Sequence, residues 1–518
     1  MAKRRKNPPP NIGTLDMFGV ERPMAKKVTG SSSGKGPKNK MNDLPFSEWM
    51  LYQKSFSFSE FEITKIASEA VSFFTKEKYD DGRISSSVVM TPDEVIIQGD
   101  DDRIVKTCDV DLSFKKFKQD ELDFCFIDLR EELATLEQWD AFIGSSDEFW
   151  SLMSKVTRED SYVMVALMFP TEPCNNFPIP WAFSLSSRDH MQLRDEKIVY
   201  NEATSEMVHL AVFKSTDDKF EAVRLCGEDL VLSEDDWGGD SRRTCFIIKP
   251  RPRTNREVKH PAKYPEELVE EFVPMFSEKG EWVFDPMVGT GSTIIAARWN
   301  ERNGIGIDLQ KKFVDLSEKR LSEEFPTSTL PGIGIKRNET EHHIILDNAL
   351  NSKNILDELG VEISYTCTSP PYWTMLQNPG SENQRNRRKN VRILPTAMLQ
   401  TEADPLETVY SGDHEDLGNI DDYSEFLELL CDIYNQVAKC TNDGGVLTFV
   451  VKNVKREHTV YPLAWDLVRN LCGKNGLWSY LGTQYWCQDD VGLKPFAIGH
   501  HWVSNTLHQY CVHLVKRK

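Results

Sequence analysis

The stretch that decides the fold is a glycine-rich turn, Phe284-Asp285-Pro286-Met287-Val288-Gly289-Thr290-Gly291-Ser292-Thr293. The residues before it, 282–284, predict a strand, and residues 292–299 after it predict a helix. Gly289 and Gly291 let the backbone adopt positive φ and approach a ligand closely. The N-terminus of the following helix offers unpaired N–H groups and the positive end of a dipole, which suit a carboxylate or a phosphate. Many nucleotide-binding folds contain such a turn, so its surroundings must decide what it binds.

The chain around this turn alternates between strand and helix signals from about residue 255 to the C-terminus. Beyond the turn we predict strands at 304–308, 343–346, 363–368, 445–451, 481–486 and 509–515, and helices at 311–321, 423–438 and 461–472. This alternation predicts an α/β fold with a mostly parallel, doubly wound, Rossmann-like sheet. In such a sheet ligands bind at the carboxyl ends of the strands.

An acidic residue ends the strand that follows the turn. Asp308 lies 308 − 285 = 23 positions after Asp285, about where an acidic side chain binds the ribose hydroxyls of a nucleoside. An ordinary helix N-cap is the alternative role for Asp308. Polar residues also end the third strand, where they would face an adenine ring. We therefore predict cofactor contacts from Asp285, Pro286, Gly289, Gly291, Thr293, Asp308, Asp347 and Asn348.

A second motif, Thr368-Ser369-Pro370-Pro371-Tyr372-Trp373, ends the predicted strand 363–368. Two successive prolines continue neither a sheet ladder nor a helix, so the chain leaves the strand in a stiff, extended turn. The Ser369 hydroxyl and the Pro370 carbonyl are acceptors for an amino group, and Tyr372 offers a flat face for an extruded base. This chemistry rests on orientation and preorganised acceptors, and we predict no metal ion for it.

Together the two motifs resemble those of the DNA amino-methyltransferases, in which a D-P-F/M-x-G-x-G-x-T segment binds S-adenosylmethionine and an S/T/D/N-P-P-Y/F segment receives the base. Met287 stands where Phe is usual. The resemblance covers about 255–518 and implies a class I methyltransferase fold with Ser369, Pro370, Pro371 and Tyr372 as catalytic residues. Residues 260–268 are similar to the helix that flanks the methionine moiety of the cofactor, which adds Pro265 to the predicted cofactor contacts.

The form of the second motif also bears on the acceptor base. Thr-Ser-Pro-Pro-Tyr is typical of the cytosine-N4 subgroup, whereas adenine-N6 enzymes more often have Asp or Asn at the position of Ser369. The resemblance therefore favours a flipped cytosine in DNA as the substrate. Adenine N6 or an RNA amino group stays open as an alternative acceptor. A module that binds the cofactor or DNA without catalysis is the alternative from another class.

The order of the motifs departs from the family, because many of its members place the catalytic motif before the cofactor motif. The middle region, about 45–250, contains weak echoes of the C-terminal strands at 124–128, 162–167, 197–200 and 207–213. Asp128-Leu129-Arg130 stands there where a working copy would have Ser-Pro-Pro. We interpret 45–250 as an accessory α/β region and a candidate degenerate catalytic half, followed by a catalytic domain at 251–518. Any α/β segment produces some echo of this kind, so the simpler alternative stays open.

The net charge of −19 does not exclude a nucleic-acid partner, because DNA responds to local surfaces and not to the total charge. Basic residues are concentrated in an insert at 374–416 that leaves directly from the second motif. We predict contacts to phosphates or guanine edges at the rim of the pocket from these residues: Arg385, Arg387, Arg388, Lys389 and Arg392. An insert without a role in binding is the alternative.

The remaining composition predicts a cytoplasmic, nucleoid-associated protein. The eleven cysteines form no CxxC pair, which favours free thiols over a disulfide framework or a zinc site. The sequence contains no apolar run of membrane-spanning length and no signal-peptide pattern. Residues 1–44 are rich in Pro, Gly, Ser and Lys and predict a disordered tail. Within it, 14–18 resembles a sliding-clamp docking peptide or is a chance apolar run. A companion restriction endonuclease is the other expected partner, and the oligomeric state is left open.

Overall fold

A computed structural model describes residues 41–59, 61–92, 103–169, 176–215, 220–234, 244–249, 264–325, 340–371, 373, 416–456, 459–489, 493, 502 and 504–518. Residues 1–40 of the predicted tail, Tyr372 and all five arginines and lysines predicted to contact DNA lie outside these ranges. The described residues form two α/β units, one after the other along the chain. Among their helices, none is long and apolar enough to cross a bilayer.

The first unit is built on a seven-stranded mixed sheet. Its elements are, in chain order, α1 (Phe46–Leu51), β1 (Phe56–Phe58), α2 (Ile63–Phe74), β2 (Ser86–Met90), β3 (Ile104–Cys108), β4 (Leu122–Asp128), α3 (Leu136–Ile143), α4 (Ser146–Val156), β5 (Thr157–Met168), α5 (Ile179–Ser186), β6 (Met191–Tyr200) and β7 (Met207–Ser215). The strand order is β1-β6-β7-β5-β4-β2-β3, and β7 runs antiparallel to both of its neighbours.

The second unit is built on an eight-stranded sheet. Its elements are β8 (Cys245–Ile247), α6 (Glu266–Phe276), β9 (Trp282–Asp285), α7 (Ser292–Trp299), β10 (Asn303–Asp308), α8 (Lys311–Glu324), β11 (His342–Leu346), α9 (Ser352–Leu359), β12 (Ile363–Thr368), α10 (Tyr423–Lys439), β13 (Thr441–Val451), β14 (Val454–Arg456), β15 (Thr459–Tyr461), α11 (Leu463–Leu471), β16 (Trp478–Cys487) and β17 (His508–Lys516). The order is β11-β10-β9-β12-β13-β17-β16-β8, with β14 and β15 forming a separate hairpin. All neighbours except the two pairs made by β17 are parallel.

Helices cover both faces of this second sheet. On one face, Leu268 and Phe272 of α6 are buried against the sheet together with Ala296 of α7. On the other face, the amphipathic helix α10 packs Tyr434 on Phe449 of β13, with ring centroids 5.6 Å apart. Apolar residues at helical spacing provide each contact, since helices and sheet must bury their apolar faces together. The predicted mostly parallel, doubly wound α/β fold is therefore confirmed.

Two predicted helices begin later than the sequence indicated. The helix expected at 461–472 begins at Leu463, because Pro462 is its N-cap and 459–461 belong to the hairpin strand β15. In the segment similar to the family helix at 260–268, the described helix α6 begins at Glu266, and Pro265 is its N-cap. Residues 292–299 and 363–368, in contrast, have the predicted bounds.

The two sheets match strand by strand. The order β1-β6-β7-β5-β4-β2-β3 corresponds to β8-β16-β17-β13-β12-β9-β10, with the same directions throughout, and β11 is the addition in the second unit. The irregularities of the two sheets recur as well. The pairing register of β4 shifts between Leu122 and Phe124, and that of β12 shifts between Ile363 and Tyr365. With this register, Asp128 occupies the position of Ser369.

The two units meet at matching residues of matching helices. Helices α5 and α11 both follow a proline N-cap with nearly the same dihedral angles, φ −79° and ψ 67° at Pro178, φ −84° and ψ 66° at Pro462. The third residue of each helix is a tryptophan, and the rings of Trp181 and Trp465 stack with centroids 5.7 Å apart. Equivalent residues in contact are the arrangement found at the two-fold axis of a symmetric dimer.

Gly306 of β10 makes room for the glycine-rich turn, because a Cβ at this position would lie 2.5 Å from Cγ2 of Val288. We expect Gly306→Ala to lower the free energy of unfolding by about 1–3 kcal/mol through overpacking. In the control Gly144→Ala, the added Cβ meets no atom within 4 Å, and we expect a change within about 0.5 kcal/mol. Urea-induced unfolding measures both, and equal effects would contradict the close approach.

Candidate active site

An open cavity of about 770 Å³ lies where the carboxyl ends of β9, β10 and β12 meet. Both sequence motifs contribute to its lining, which joins the turn after β9 to the turn after β12. The predicted residues that line it are Pro286, Gly289, Asp308, Asn348, Ser369, Pro370 and Pro371. Residues that sequence reasoning did not assign to the site complete the wall: Met287, Leu309, Gln310, Phe313, Ala349, Leu350, Asp416, Leu417, Leu429 and Ile433.

Hydrogen bonds hold the glycine-rich turn in a left-handed conformation. Gly289 has φ 52° and Gly291, the N-cap of α7, has φ 81°. The Gly289 amide donates to Oδ2 of Asp308 at 2.9 Å, and the Ser317 hydroxyl of α8 donates to the Gly289 carbonyl at 2.8 Å. Both glycines therefore have the positive φ that the sequence predicted.

Asp285 does not line the cavity, and its side chain holds the glycine-rich turn through hydrogen bonds. Its side chain is fully buried. Oδ2 accepts hydrogen bonds from Tyr264 at 2.9 Å and Thr293 at 2.7 Å, and Oδ1 accepts one from the Met287 amide at 3.0 Å. Burial raises the pKa of this carboxyl, whereas these hydrogen bonds oppose the rise. The Thr293 hydroxyl also lies 3.1 Å from the Cys367 carbonyl, which connects the start of α7 to β12.

Asp308 is the predicted acidic residue that reaches the cavity. Its Oδ1 accepts a hydrogen bond from the Gln310 amide at 2.8 Å while Oδ2 holds Gly289. Burial raises the pKa of Asp308 to about 6, with the negative charges of Asp285 and Asp416 adding to the rise and the two amides opposing it. The carboxylate is therefore both a positioning group for the turn and an acceptor at the wall.

The two predicted residues after β11 differ in their placement. Asn348 lines the cavity, and its Oδ1 accepts a hydrogen bond from the Leu350 amide at 3.0 Å. Asp347 is absent from the lining, and its Oδ1 accepts hydrogen bonds from the Asn348 amide and the Asn351 side chain, each at 2.7 Å. Pro265, Gly291 and Thr293 also lie outside the lining, as parts of the frame that supports the turn.

Ser369 and Pro371 of the second motif are partly exposed at the cavity, and Pro370 is buried between them. Beyond Tyr372, the ring of Trp373 is buried under three side chains. Tyr461 and Tyr423 approach it with ring centroids at 4.7 and 5.1 Å, and the Arg456 guanidinium lies 4.9 Å from the ring centroid. The Ser-Pro-Pro turn is thus followed by a residue that is held in an aromatic cluster.

Gln310 and Phe313 directly follow Asp308 at the start of α8, so their place in the wall follows from the predicted strand–turn–helix. Leu429 and Ile433 belong to α10, more than fifty residues beyond Ser369 in sequence. Their helical spacing gave a buried face, but only the packing of α10 against the sheet shows that this face reaches the cavity.

The link between the turn and the catalytic strand can be tested with two buried threonines. We expect Thr293→Val to lower the free energy of unfolding by about 1–3 kcal/mol, because the buried Asp285 carboxylate loses a donor. The matched control is Thr366→Val on β12, where the buried hydroxyl has no hydrogen-bond partner among the described residues. Chemical unfolding of both variants is the measurement, and equal stabilities would contradict the role of Thr293.

Parts of this chain are similar to known methyltransferases. A family model described as DNA methylase (N6_N4_Mtase) matches residues 130–319. The Type II methyltransferase M.MthZI of Methanothermobacter thermautotrophicus is 46% identical over 92 residues, which are 18% of this chain and 26% of the relative. M.Cfr9I of Citrobacter freundii is 30% identical over 164 residues, which are 30% of this chain and 52% of the relative.

A third relative, the Type II methyltransferase M.BglI of Bacillus subtilis, is 29% identical over 146 residues, which are 27% of this chain and 38% of the relative. The matches thus span between about a quarter and a half of the length of these relatives. The family match includes the glycine-rich turn and ends before the Ser-Pro-Pro turn. Residues 130–319 thus match the DNA methylase family, and the relatives to which parts of this chain are similar are Type II methyltransferases.

Proposed function

We propose that this protein transfers a methyl group from S-adenosylmethionine to an exocyclic amino group of DNA, with cytosine N4 as the acceptor. The observation that carries the proposal is the shared cavity, in which Asp308 and Gly289 face the same space as Ser369 and Pro370. A methyl donor and an amine must meet in one pocket, and catalysis by proximity requires both sites to be built in advance.

The residues present fit the cofactor. Asp308 supplies a carboxylate for ribose hydroxyls, and the left-handed backbone at Gly289 lets the chain approach the ligand. Phe313 and Leu350 give the cavity apolar walls that suit an adenine ring. When bound, S-adenosylmethionine supplies an electrophilic methyl group on a sulfonium.

The acceptor turn supplies hydrogen-bond acceptors for the amine. The amino nitrogen of cytosine is a weak nucleophile, since its lone pair is delocalised into the ring. Acceptors at the Ser369 hydroxyl and the Pro370 carbonyl favour a pyramidal nitrogen and so localise the lone pair. Because two prolines stiffen the turn, the acceptors cost little reorganisation when the reaction occurs. We assign Tyr372 the role of stacking against the flipped base.

The finer assignments rest on the sequence alone. Serine at position 369 supports cytosine N4 over adenine N6, because Asp or Asn is more frequent there in adenine-N6 enzymes. The basic insert, with Arg385, Arg387, Arg388, Lys389 and Arg392, supports contacts to DNA at the pocket rim. A companion restriction endonuclease, sliding-clamp docking through 14–18 and a cytoplasmic, nucleoid-associated location complete the proposal.

Methyl transfer is tested with purified protein, S-adenosylmethionine carrying a labelled methyl group, and genomic DNA that lacks the modification. We expect labelled N4-methylcytosine after digestion of the DNA to nucleosides. Ser369→Ala should lower kcat by about 10²-fold, in line with the loss of one preorganised hydrogen-bonding group. The control Ser322→Ala changes an exposed serine of α8 and should leave the rate unchanged.

Labelled N6-methyladenine would reject cytosine but retain the amino-methyltransferase. No transfer to either base, together with binding of the cofactor, would favour a non-catalytic module. Transfer to RNA alone, with DNA left unmodified, would reject the proposed substrate.

The raised pKa of Asp308 predicts a pH dependence of cofactor binding. Ribose hydroxyls donate to the ionised carboxylate, so protonation weakens binding. Because the pKa lies at about 6, affinity should be constant above pH 7 and should fall as the pH drops below 6, by up to about tenfold per unit. Asp308→Asn should bind more weakly and lose this dependence. Isothermal titration calorimetry between pH 5 and pH 8 measures both, and parallel profiles would contradict the role of Asp308.

A further inference from the structure

The hairpin β14–β15 stands between the first unit and the catalytic turn. It follows directly from β13, the strand beside β12, and Val454 pairs with Tyr461 at its base. On one side, Tyr461 and Arg456 lie against Trp373, the residue after Tyr372. Any displacement of this hairpin therefore acts on the far end of the catalytic turn.

On its other side, the hairpin is held by one strand of the first unit, β6. The side-chain amide of Gln192 donates a hydrogen bond to the Thr459 hydroxyl at 2.9 Å. The Lys455 ammonium donates to Oδ1 of Asp195 at 2.6 Å. The neighbouring carboxylate, Glu196, accepts a hydrogen bond at 3.0 Å from Asn453, which lies between β13 and the hairpin.

Asp195 and Glu196 are carboxylates in a buried position, where the loss of hydration costs free energy. Asp195 is fully buried and Glu196 is 3% exposed, and a buried carboxylate without partners costs several kcal/mol. Here each is satisfied: Ser504 donates to Asp195 through its hydroxyl and its amide, at 2.9 and 3.2 Å, and Tyr510 donates to Glu196. An apolar boundary would join two units at lower cost. These paired carboxylates instead favour one specific arrangement of hairpin and strand.

The carboxylates belong to the first unit alone. The matching positions of β16, identified through the common pairing with β7 and β17, are Gly482 and Thr483. The device that holds the hairpin is therefore absent from the second unit's own strand.

The first unit also lacks the second unit's site. Asp128, at the position of Ser369, is occupied by a bidentate pair with Arg130, both contacts at 2.8 Å. Val89 stands at the position of Asp285.

We infer that the first unit is a non-catalytic copy of the methyltransferase unit that serves as an intramolecular subunit, in which Asp195 and Glu196 are positioning residues for the base-binding turn. They act through the hairpin and Trp373, and they touch neither cofactor nor base. This inference rests on the proposed function, since it assigns the turn after β12 to the base.

Positioning and mere stabilisation differ in what they change. A loss of structure lowers cofactor binding and catalysis together. A displaced turn lowers kcat or raises KM for DNA, whereas the cofactor wall formed by residues within 286–313 and 348–350 keeps its affinity. A displacement of about 1 Å at a reacting group is enough to reduce a rate by about 10²-fold.

The test uses the full-length chain with Lys455→Met, which frees the hairpin while Ser504 still satisfies Asp195. We expect unchanged affinity for S-adenosylmethionine by calorimetry and a loss of kcat/KM for DNA methylation of at least about tenfold. Lys455→Arg keeps the ion pair and should restore most of the activity. The matched control is Lys474→Met, which removes an exposed ion pair between the units, Lys474 to Glu228 at 3.4 Å, and should have no effect.

A milder variant keeps the inference testable if Lys455→Met does not fold. Thr459→Val removes only the contact to Gln192 and should shift kcat/KM in the same direction. Wild-type methylation rates in a folded Lys455→Met would overturn the inference, and so would a parallel loss of cofactor affinity and activity. Absence of methyl transfer by the wild-type chain would instead reject the proposed function.

Discussion

The buried carboxylate of Asp285 is the constraint on which the second unit depends. It accepts hydrogen bonds from the segment before α6, from the glycine-rich turn and from the first turn of α7. A buried acid tolerates no missing donor, because the desolvation of its charge must be offset by every partner. Those three segments are therefore fixed relative to one another, and through Thr293 they are fixed to β12, the strand that ends at Thr368.

The same physical rule operates at the boundary between the units. Asp195 and Glu196 lie on consecutive positions of β6, and their donors come mainly from the second unit. At both places a buried acid determines geometry more than it adds stability. Asp285 holds the glycine-rich turn, and Asp195 and Glu196 hold the hairpin and the residue that precedes it.

Much of the second unit's fold could be predicted from local sequence patterns. Helix α7 and strand β12 have the predicted bounds, since a turn of special residues marks one end of each. The hairpin β14–β15 was missed because its two strands have three residues each and pair only with one another. Strands β2 and β3 were missed as well, since their pairing partners are distant in sequence and short apolar runs are ambiguous.

For the site, sequence reasoning found the residues at the ends of strands, where chain order implies position at one sheet edge. Seven of the predicted residues line one cavity, and the others that the structure describes support it from beneath. The contributions of Leu429, Ile433 and Asp416 depend on how a helix and a loop pack from elsewhere, which no local pattern encodes. The role of β6 likewise depends on packing, because its carboxylates look like an ordinary charged segment in the sequence.

The order of motifs along the chain has a physical explanation in the sheet. Strand β12 pairs with β9 in the sheet. This pairing is the same whether the strand beside β9 comes before or after it in the sequence. The family match begins two residues after Asp128 and ends in α8, so it runs from the turn after β4 in the first unit through the glycine-rich turn of the second. The strand that completes the cavity comes from beyond the match. If a second catalytic half supplies the strand beside β9, the first half no longer has to carry acceptors for a base. Its turn can then accommodate a salt bridge between Asp128 and Arg130, and its strand β6 can provide the carboxylate that contacts the hairpin.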